Sequence, residues 1–365
     1  MPSTTHPDFN EQTTGLEVAA SFTSRIRGKT VLVTGANPGG IGFSTAEAFA
    51  SQSPANIILA GRSLPRLQES ITALTTSYPS VTYLPLVVDL SSQSSVRAAA
   101  STVLSWDNVL AIDITINSAG VMLLPERTLS PDGVEMHFAT NHLGHFLLTC
   151  LLLPKLIAAA KANPNHPGSV RVVNVASGSP MQTSAIRWSD VNFTKTNKDL
   201  PEDKQPNYHV LKAWGVKQPE EKSYTGLEGY NQSKVANVLF SVGLTRRVFN
   251  KYGILSLAVH PGVIQTELGR HVDGETRAAL DELFKNGVYK MKSLGAGAAT
   301  SLVAALDPGL AEGEVGRERE GRENYGVYLA DCQVCDKALP GATSGERAER
   351  LWAMSEGLVG KKFEF

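Results

Sequence analysis

Residues 28 to 42 read Gly-Lys-Thr-Val-Leu-Val-Thr-Gly-Ala-Asn-Pro-Gly-Gly-Ile-Gly, and this run constrains the fold more than any other. Thr30 to Thr34 is short, apolar and β-branched, as a strand buried on both faces requires. A glycine-rich turn follows. Phe43 to Ser51, with Ala46, Ala48, Phe49 and Ala50, then reads as a helix. Strand, glycine turn and helix in that order form a dinucleotide fingerprint. Glycines let the backbone approach a pyrophosphate, and the helix N-terminus offers it amide N–H groups and a positive dipole end.

The rest of the chain alternates in the same way. Strands are predicted at 30–34, 56–60, 82–88, 112–117, 169–176, 254–259 and 325–329. Helices are predicted at 42–52, 64–77, 92–104, 133–160, 229–250, 294–305 and 344–357. Such alternation predicts an α/β fold: a doubly wound parallel sheet of the Rossmann type with helices on both faces. The 365-residue length permits two domains, but the motif order favours one elaborated domain over residues 28–365. Residues 1–27 read as a polar tail. Residues 183–228 break the alternation: they are polar and proline-punctuated, yet carry Trp188, Phe193, Tyr208, Leu211, Trp214 and Tyr224. A long irregular insertion in a compact domain is usually functional or disordered, and this one reads as a lid over a substrate.

Tyr230 and Lys234 lie in Gly-Tyr-Asn-Gln-Ser-Lys-Val-Ala-Asn. On a helix, positions i and i+4 share a face. A cation beside a phenol favours the phenolate. Lowering a tyrosine by about three units, enough for proton exchange near neutrality, requires roughly 4 kcal/mol of differential stabilisation.

With the glycine turn and this pair in view, the chain resembles the short-chain dehydrogenase/reductase family. The family's opening Thr-Gly-x-x-x-Gly-x-Gly is matched by Thr34, Gly35, Gly40 and Gly42, with four rather than three residues between Gly35 and Gly40. Val87-Val88-Asp89-Leu90 matches a third strand whose aspartate meets the adenine. Ile116-Asn117-Ser118-Ala119-Gly120 matches Asn-Asn-Ala-Gly, with Ser118 as the departure. Thr140-Asn141-His142-Leu143-Gly144-His145-Phe146 resembles the segment that supplies a catalytic asparagine. Ser177 follows Arg171–Ala176 where the catalytic serine belongs. His260-Pro261-Gly262-Val263-Ile264-Gln265-Thr266 resembles the turn that closes over the nicotinamide. The resemblance covers roughly residues 28 to 310. The Asn-His-Leu-Gly-His-Phe and Tyr-x-x-Ser-Lys-x-Ala-Asn segments resemble in particular the branch of retinol dehydrogenases and WW-domain-containing oxidoreductase.

The resemblance implies Asn141, Ser177, Tyr230 and Lys234 as catalytic residues. It implies Gly35, Gly40, Ile41, Gly42, Arg62, Asp89, Asn117, Tyr230, Lys234, Ile264 and Thr266 as cofactor-binding residues. The cofactor itself follows from the second strand. An acidic residue at its tip would favour NAD, and an arginine there suits the 2′-phosphate of NADP. The strand ends in Gly61-Arg62-Ser63 with no carboxylate, which predicts NADP. The expected reaction is hydride transfer between NADPH and a small-molecule ketone or aldehyde, or the reverse alcohol oxidation. Ser177 would stabilise the carbonyl oxygen. Tyr230 would deliver the proton, Lys234 would lower the tyrosine pKa and hold the ribose, and Asn141 would hold a water linking Lys234 to solvent. Alternatives are an alkene or ring double-bond reductase on the same fold, and a catalytically silent cofactor-binding regulator. The polar tail and extended loops resemble those of reductases from fungal small-molecule pathways.

Other classes are disfavoured. Lys plus Arg total 34 and Asp plus Glu 35, a formal charge of −1, so no nucleic-acid surface is expected. Three cysteines suit a reducing compartment. Cys332 and Cys335 lack a second pair for zinc, and Cys150 reads as core. His142 and His145 share a helix without further ligands, so no metal is expected. Residues 1–25 carry no apolar targeting core, and Phe146 to Ala160, interrupted by Pro154 and Lys155, reads as too short to span a bilayer. A cytoplasmic protein acting on a small molecule is expected, with assembly into a homo-oligomer left open.

Overall fold

The structure, a computed structural model, describes residues 2–312, 318–319 and 321–365. Its ten strands are β1 (Thr30–Thr34), β2 (Asn56–Gly61), β3 (Thr82–Val87), β4 (Ile114–Asn117), β5 (Val170–Val175), β6 (Ile254–His260), β7 (Val263–Ile264), β8 (Met291–Lys292), β9 (Tyr328–Ala330) and β10 (Gln333–Val334). Eight form one sheet in the order β10-β9-β6-β5-β4-β1-β2-β3. All pairs are parallel except β9 with β10. The order reverses between β1 and β4, so the crevice lies where the glycine turn leaves β1.

β1 is buried along its whole length, which is why it reads as an unbroken apolar run. Its side chains alternate between two cores. Leu32 joins Ile58, Phe146, Leu239 and Phe240 on one face. Val31 and Val33 join Phe49, Leu59, Leu302 and Val303 on the other. β3 is an edge strand and tolerates Pro85, whose missing N–H would break a central ladder. The helix that carries Tyr230 and Lys234 spans Gly226–Tyr252. Thr225 caps it by accepting from the Glu228 amide, and Gly253 ends it in the left-handed region at φ 70°.

Four expectations change. Residues 1–27 are not simply a tail. Thr14 and Glu17 form a capping box that starts the helix Gly15–Ser21. Its Val18 and Ala19, with Ile26, pack into the core formed with helices Ile41–Ala50 and Leu294–Leu306. The helix predicted at 133–160 runs instead from Phe138 to Ala162, with a π-helical turn at Phe138–Leu143. At 25 residues it is long and apolar enough to cross a membrane. Length therefore does not exclude a span. Burial identifies it as a core helix, since 72% of its apolar window is inside the fold. A helix at Gly274–Lys285, absent from the sequence reading, begins at the Asp273 cap.

The insertion at 183–228 is anchored from within. Arg187 is buried and pairs with Asp190 at 3.1 Å and Glu228 at 3.2 Å, while its guanidinium lies over the Phe193 ring. Asn197 hydrogen-bonds both Arg187 and Glu228. The outer part, with the helix Tyr208–Ala213, packs Leu211 and Trp214 against Leu123, Leu227 and Val272. Trp214 meets Tyr289 edge-on at 6.0 Å. The insertion and the 266–292 segment thus meet above the carboxyl ends of the strands.

Candidate active site

Gly35 follows β1 with φ 70°, and its N–H donates to Ala60 O at 2.8 Å. A side chain there would place Cβ 2.7 Å from Ala119 Cα. At Gly42 a Cβ would lie 2.5 Å from Gly35 O. Both glycines are therefore required by close backbone approach. The extra residue is absorbed at Gly39, which takes φ 74°, and by a turn in which Gly40 N–H donates to Asn37 O at 3.2 Å. Gly40 N-caps the helix Ile41–Ala50 without any side-chain cap. The first-turn amides of Ile41 and Gly42 are thus free to receive an anion, and the cradle fits a dinucleotide pyrophosphate.

The other predicted cofactor residues border the same crevice. Arg62 is exposed one position beyond β2, and a Cβ on neighbouring Gly61 would lie 3.7 Å from Asn37 Oδ1 in the glycine turn. Asp89 ends the β3 segment, with Oδ1 accepting from Ser91 N at 3.0 Å and Ser91 Oγ at 2.7 Å. Ile264 reaches the helix glycine Gly297, where Ile41 also arrives. Thr266 caps the short turn Glu267–His271. Glu267 there forms a bidentate pair with Arg66 at 2.7 and 2.8 Å.

Asn117 differs from expectation. Its side chain is buried behind the crevice, donating to Thr149 Oγ1 at 3.1 Å and Asn174 Oδ1 at 2.8 Å. Through Nδ2 it ties β4 to β5, and its Oδ1 has no partner among the described residues.

Tyr230, Lys234, Ser177 and Asn141 come together. Lys234 Nζ lies 5.6 Å from the Tyr230 ring centroid and donates to Val175 O at 2.8 Å. Gly120 makes room for this group: a Cβ there would lie 3.0 Å from Asn141 Oδ1 and 3.7 Å from Lys234 Nζ. Burial pushes Lys234 down to about 7. Burial also pushes Tyr230 up to about 12, against the opposing hydrogen bond from Ser177. The expected lowering of the tyrosine by Lys234 does not govern this cleft, because desolvation of the phenolate outweighs it.

Asn141 also departs from the simple picture. Its amide accepts from Val121 N at 2.8 Å and donates to Val121 O at 3.0 Å and Ser233 Oγ at 2.8 Å. The amide clamps the 118–121 turn. Its backbone carbonyl, in the π-helical turn, accepts from His145 Nδ1 at 3.0 Å. The tautomer follows from the partners. Thr34 Oγ1 accepts from Ser118 N and Ala119 N at 2.9 and 3.0 Å, so its proton goes to His145 Nε2 at 2.8 Å. His145 is thus a neutral bolt between β1 and Asn141, and burial holds its pKa down at about 4.

Tyr328, Asn231, His137 and Glu135 escaped the sequence reading. Tyr328 donates to Ser177 O at 2.6 Å and fixes the serine backbone. Ser177 Oγ donates to Ser179 Oγ at 2.7 Å, and Ser179 Oγ donates to Asn231 Oδ1 at 2.7 Å. Behind Tyr230, His137 lies edge-on at 6.4 Å and bonds Glu135 at 2.7 Å, both wholly buried. Asn231 was visible beside Tyr230, but only the fold shows its partner. His142 is enclosed by Phe138, Phe146 and Phe240 and bonds Ser355 at 2.8 Å, as a core residue would. All three cysteines are free. Among the described residues, no three His, Cys, Asp or Glu side chains converge as metal ligands.

The chain is similar to several known proteins. The family model described as short chain dehydrogenase matches residues 29–187. Oxidoreductase fscI of Fusarium equiseti is 36% identical over 254 residues, covering 70% of this chain and 94% of that protein. Human retinol dehydrogenase 12 is 34% identical over 340 residues, covering 93% of this chain and 89% of that protein. A crystal structure of an uncharacterized protein from Mycobacterium paratuberculosis superposes with TM-score 0.62 at 26% identity, covering 97% of this chain and all of that one.

Proposed function

Starting from the fact that this chain belongs to the short-chain dehydrogenase family and is an oxidoreductase acting on CH–OH or C=O groups, we propose that it is an NADP-dependent carbonyl reductase. The observation that carries the reading is the convergence of Ser177, Tyr230 and Lys234 beside a glycine cradle whose neighbouring strand tip bears Arg62 and no carboxylate. The Ile41 and Gly42 amides would hold the pyrophosphate and Arg62 the 2′-phosphate. Asp89 would face the adenine, Tyr230 and Lys234 the ribose, and Ile264 and Thr266 the nicotinamide. When bound, the reduced nicotinamide supplies the hydride.

The protein's own work is protonic and electrostatic. Tyr230 supplies the proton that the reduced carbonyl oxygen takes up. Ser177 stabilises negative charge on that oxygen. With the 5.6 Å from Lys234 Nζ to the ring centroid taken as the charge separation, a protonated Lys234 attracts a phenolate by roughly 3 kcal/mol at an effective dielectric of about 20. That is comparable with the burial penalty on Tyr230, so lysine charge and serine hydrogen bond are both needed to make the phenol reactive. The insertion and the 266–292 segment act as a lid that excludes water from the exchange. The setting we propose is the cytoplasm and a fungal small-molecule pathway; the likeness to an oxidoreductase of Fusarium equiseti supports only the fungal part of that reading.

The test is NADPH consumption against a panel of ketones, aldehydes, quinones and enones, with Tyr230→Phe as control. The wild-type chain should consume NADPH with carbonyls. The variant should bind NADPH nearly as well and lose turnover by about a hundredfold or more. Saturation of an enone at carbon–carbon bonds alone would move the chain to the double-bond reductases. Tight NADPH binding with no turnover of any compound would make it a regulator.

A further inference from the structure

We propose that Asn231, acting through Ser179, sets the direction of the Ser177 hydroxyl proton and so determines whether that serine can donate to a substrate carbonyl. The inference rests on the reductase reading above. A serine hydroxyl has one proton and two lone pairs. Ser177 Oγ gives its proton to Ser179 Oγ at 2.7 Å and accepts from the Ser179 amide at 3.0 Å. Tyr230 lies beside the same hydroxyl. Ser179 in turn gives its only hydroxyl proton to Asn231 Oδ1 at 2.7 Å. The protons therefore run from Ser177 through Ser179 to Asn231. All of them point away from a carbonyl held between Ser177 and Tyr230.

Hydroxyls reverse by rotation, but an amide oxygen cannot donate. The chain reverses only if Asn231 turns and presents Nδ2 to Ser179. Asn231 Nδ2 makes no hydrogen bond among the described residues, so the turn sacrifices no second partner. Asn231 also lines the pocket beneath the insertion, with Thr183, Arg187 and Gln232. After the turn, Nδ2–H donates to Ser179, Ser179 to Ser177, and Ser177 to the substrate oxygen. Tyr230 aims its proton at the same oxygen. Each bond in such a chain polarises the next. Tyr328 holds the Ser177 backbone in both states. Asn231 is thus a positioning residue that links the pocket under the lid to the catalytic hydroxyl.

The test compares N231D, N231A, S179A and the S179A/N231D double variant, with NADPH and phenanthrenequinone as probe. The carboxylate of N231D only accepts, so it locks the chain in its outward direction. It should lower kcat by roughly tenfold to a hundredfold, with the NADPH dissociation constant within about twofold. N231A makes a larger packing defect yet should retain more turnover than N231D. Removing the Ser179 hydroxyl breaks the lock, so the double variant should regain turnover to within about threefold of S179A. A role in packing alone predicts the opposite order and additive losses, and either result overturns the proposal. If N231D does not fold, N231L replaces it. Leucine frees Ser179 to turn towards Ser177, and a loss as deep as that of Tyr230→Phe overturns the relay. A wild-type chain that binds NADPH but reduces neither the probe nor any panel carbonyl overturns the reductase reading and the relay with it. An active wild type with additive variants overturns the relay alone.

Discussion

Lys234 should make the cofactor-free protein less stable, and the penalty should fade as pH rises. Its folded-state pKa is depressed to about 7, against about 10.4 for a free lysine. Between those values the unfolded chain binds a proton that the folded chain does not, so stability increases with pH across that window. The linkage is worth roughly 4 kcal/mol against folding at pH 7 and roughly 2 kcal/mol at pH 9. Lys234→Met keeps the apolar stem and removes the charge. The Val175 carbonyl stays satisfied, because Asn237 Nδ2 also donates to it at 3.1 Å. Allowing about 1 kcal/mol for the lost hydrogen bond, the variant should exceed wild type by roughly 3 kcal/mol at pH 7 and roughly 1 kcal/mol at pH 9. Tyr230, raised to about 12, does not titrate in this window, and His142 and His145, held down at about 3 and about 4, titrate below it in both proteins. Urea melts at pH 7, 8 and 9 without cofactor measure the gap. A gap that stays constant with pH, or a wild type more stable at pH 7, refutes the reasoning. Adding NADPH should stabilise the wild type more than the variant.

Three further outcomes are expected. Arg62→Asp should lower the NADPH-to-NADH preference by about tenfold or more, since a carboxylate repels the 2′-phosphate; fluorescence titration with both cofactors checks it, and an unchanged ratio removes Arg62 from phosphate recognition. Gly42→Ala forces a Cβ to within 2.5 Å of the Gly35 carbonyl, which should cost about 1–3 kcal/mol of stability and weaken NADPH binding about tenfold; binding within twofold of wild type counts against the cradle. Trp214→Ala removes the edge-on contact with Tyr289, so it should raise KM for a carbonyl substrate while leaving NADPH affinity intact. Identical steady-state constants would reduce the insertion to a surface excursion.

The parts legible in the sequence are those whose chemistry is local. β1 announces itself by an unbroken β-branched run, and the glycine turn by residues that only close backbone approach requires. Tyr230 and Lys234 share a helical face by spacing alone. The misread parts depend on distant partners. Residues 15–26 look polar until the helices at 41–50 and 294–306 supply a surface for Val18, Ala19 and Ile26. Asn117 looked like a cofactor ligand, but Asn174 on the neighbouring strand takes its amide. The insertion read as a loop because its organising charge is buried: Arg187 meets Asp190, Asn197 and Glu228 only in three dimensions. Two signals were available. Thr14 with Glu17 spells a capping box, and Asp273 before Gly274–Lys285 spells a helix start.

The placement of the first helix also has a consequence in time. Gly15–Ser21 leaves the ribosome well before one of its two docking helices, Leu294–Leu306. At about 5–20 residues per second, roughly 15–60 s separate the two during synthesis. Through that interval Val18 and Ala19 have only one of their two docking helices, Ile41–Ala50, to cover them. The nascent chain therefore carries a sticky, half-sheltered surface over that time, and its yield in a cell should depend on what shields that surface until Leu294–Leu306 arrives.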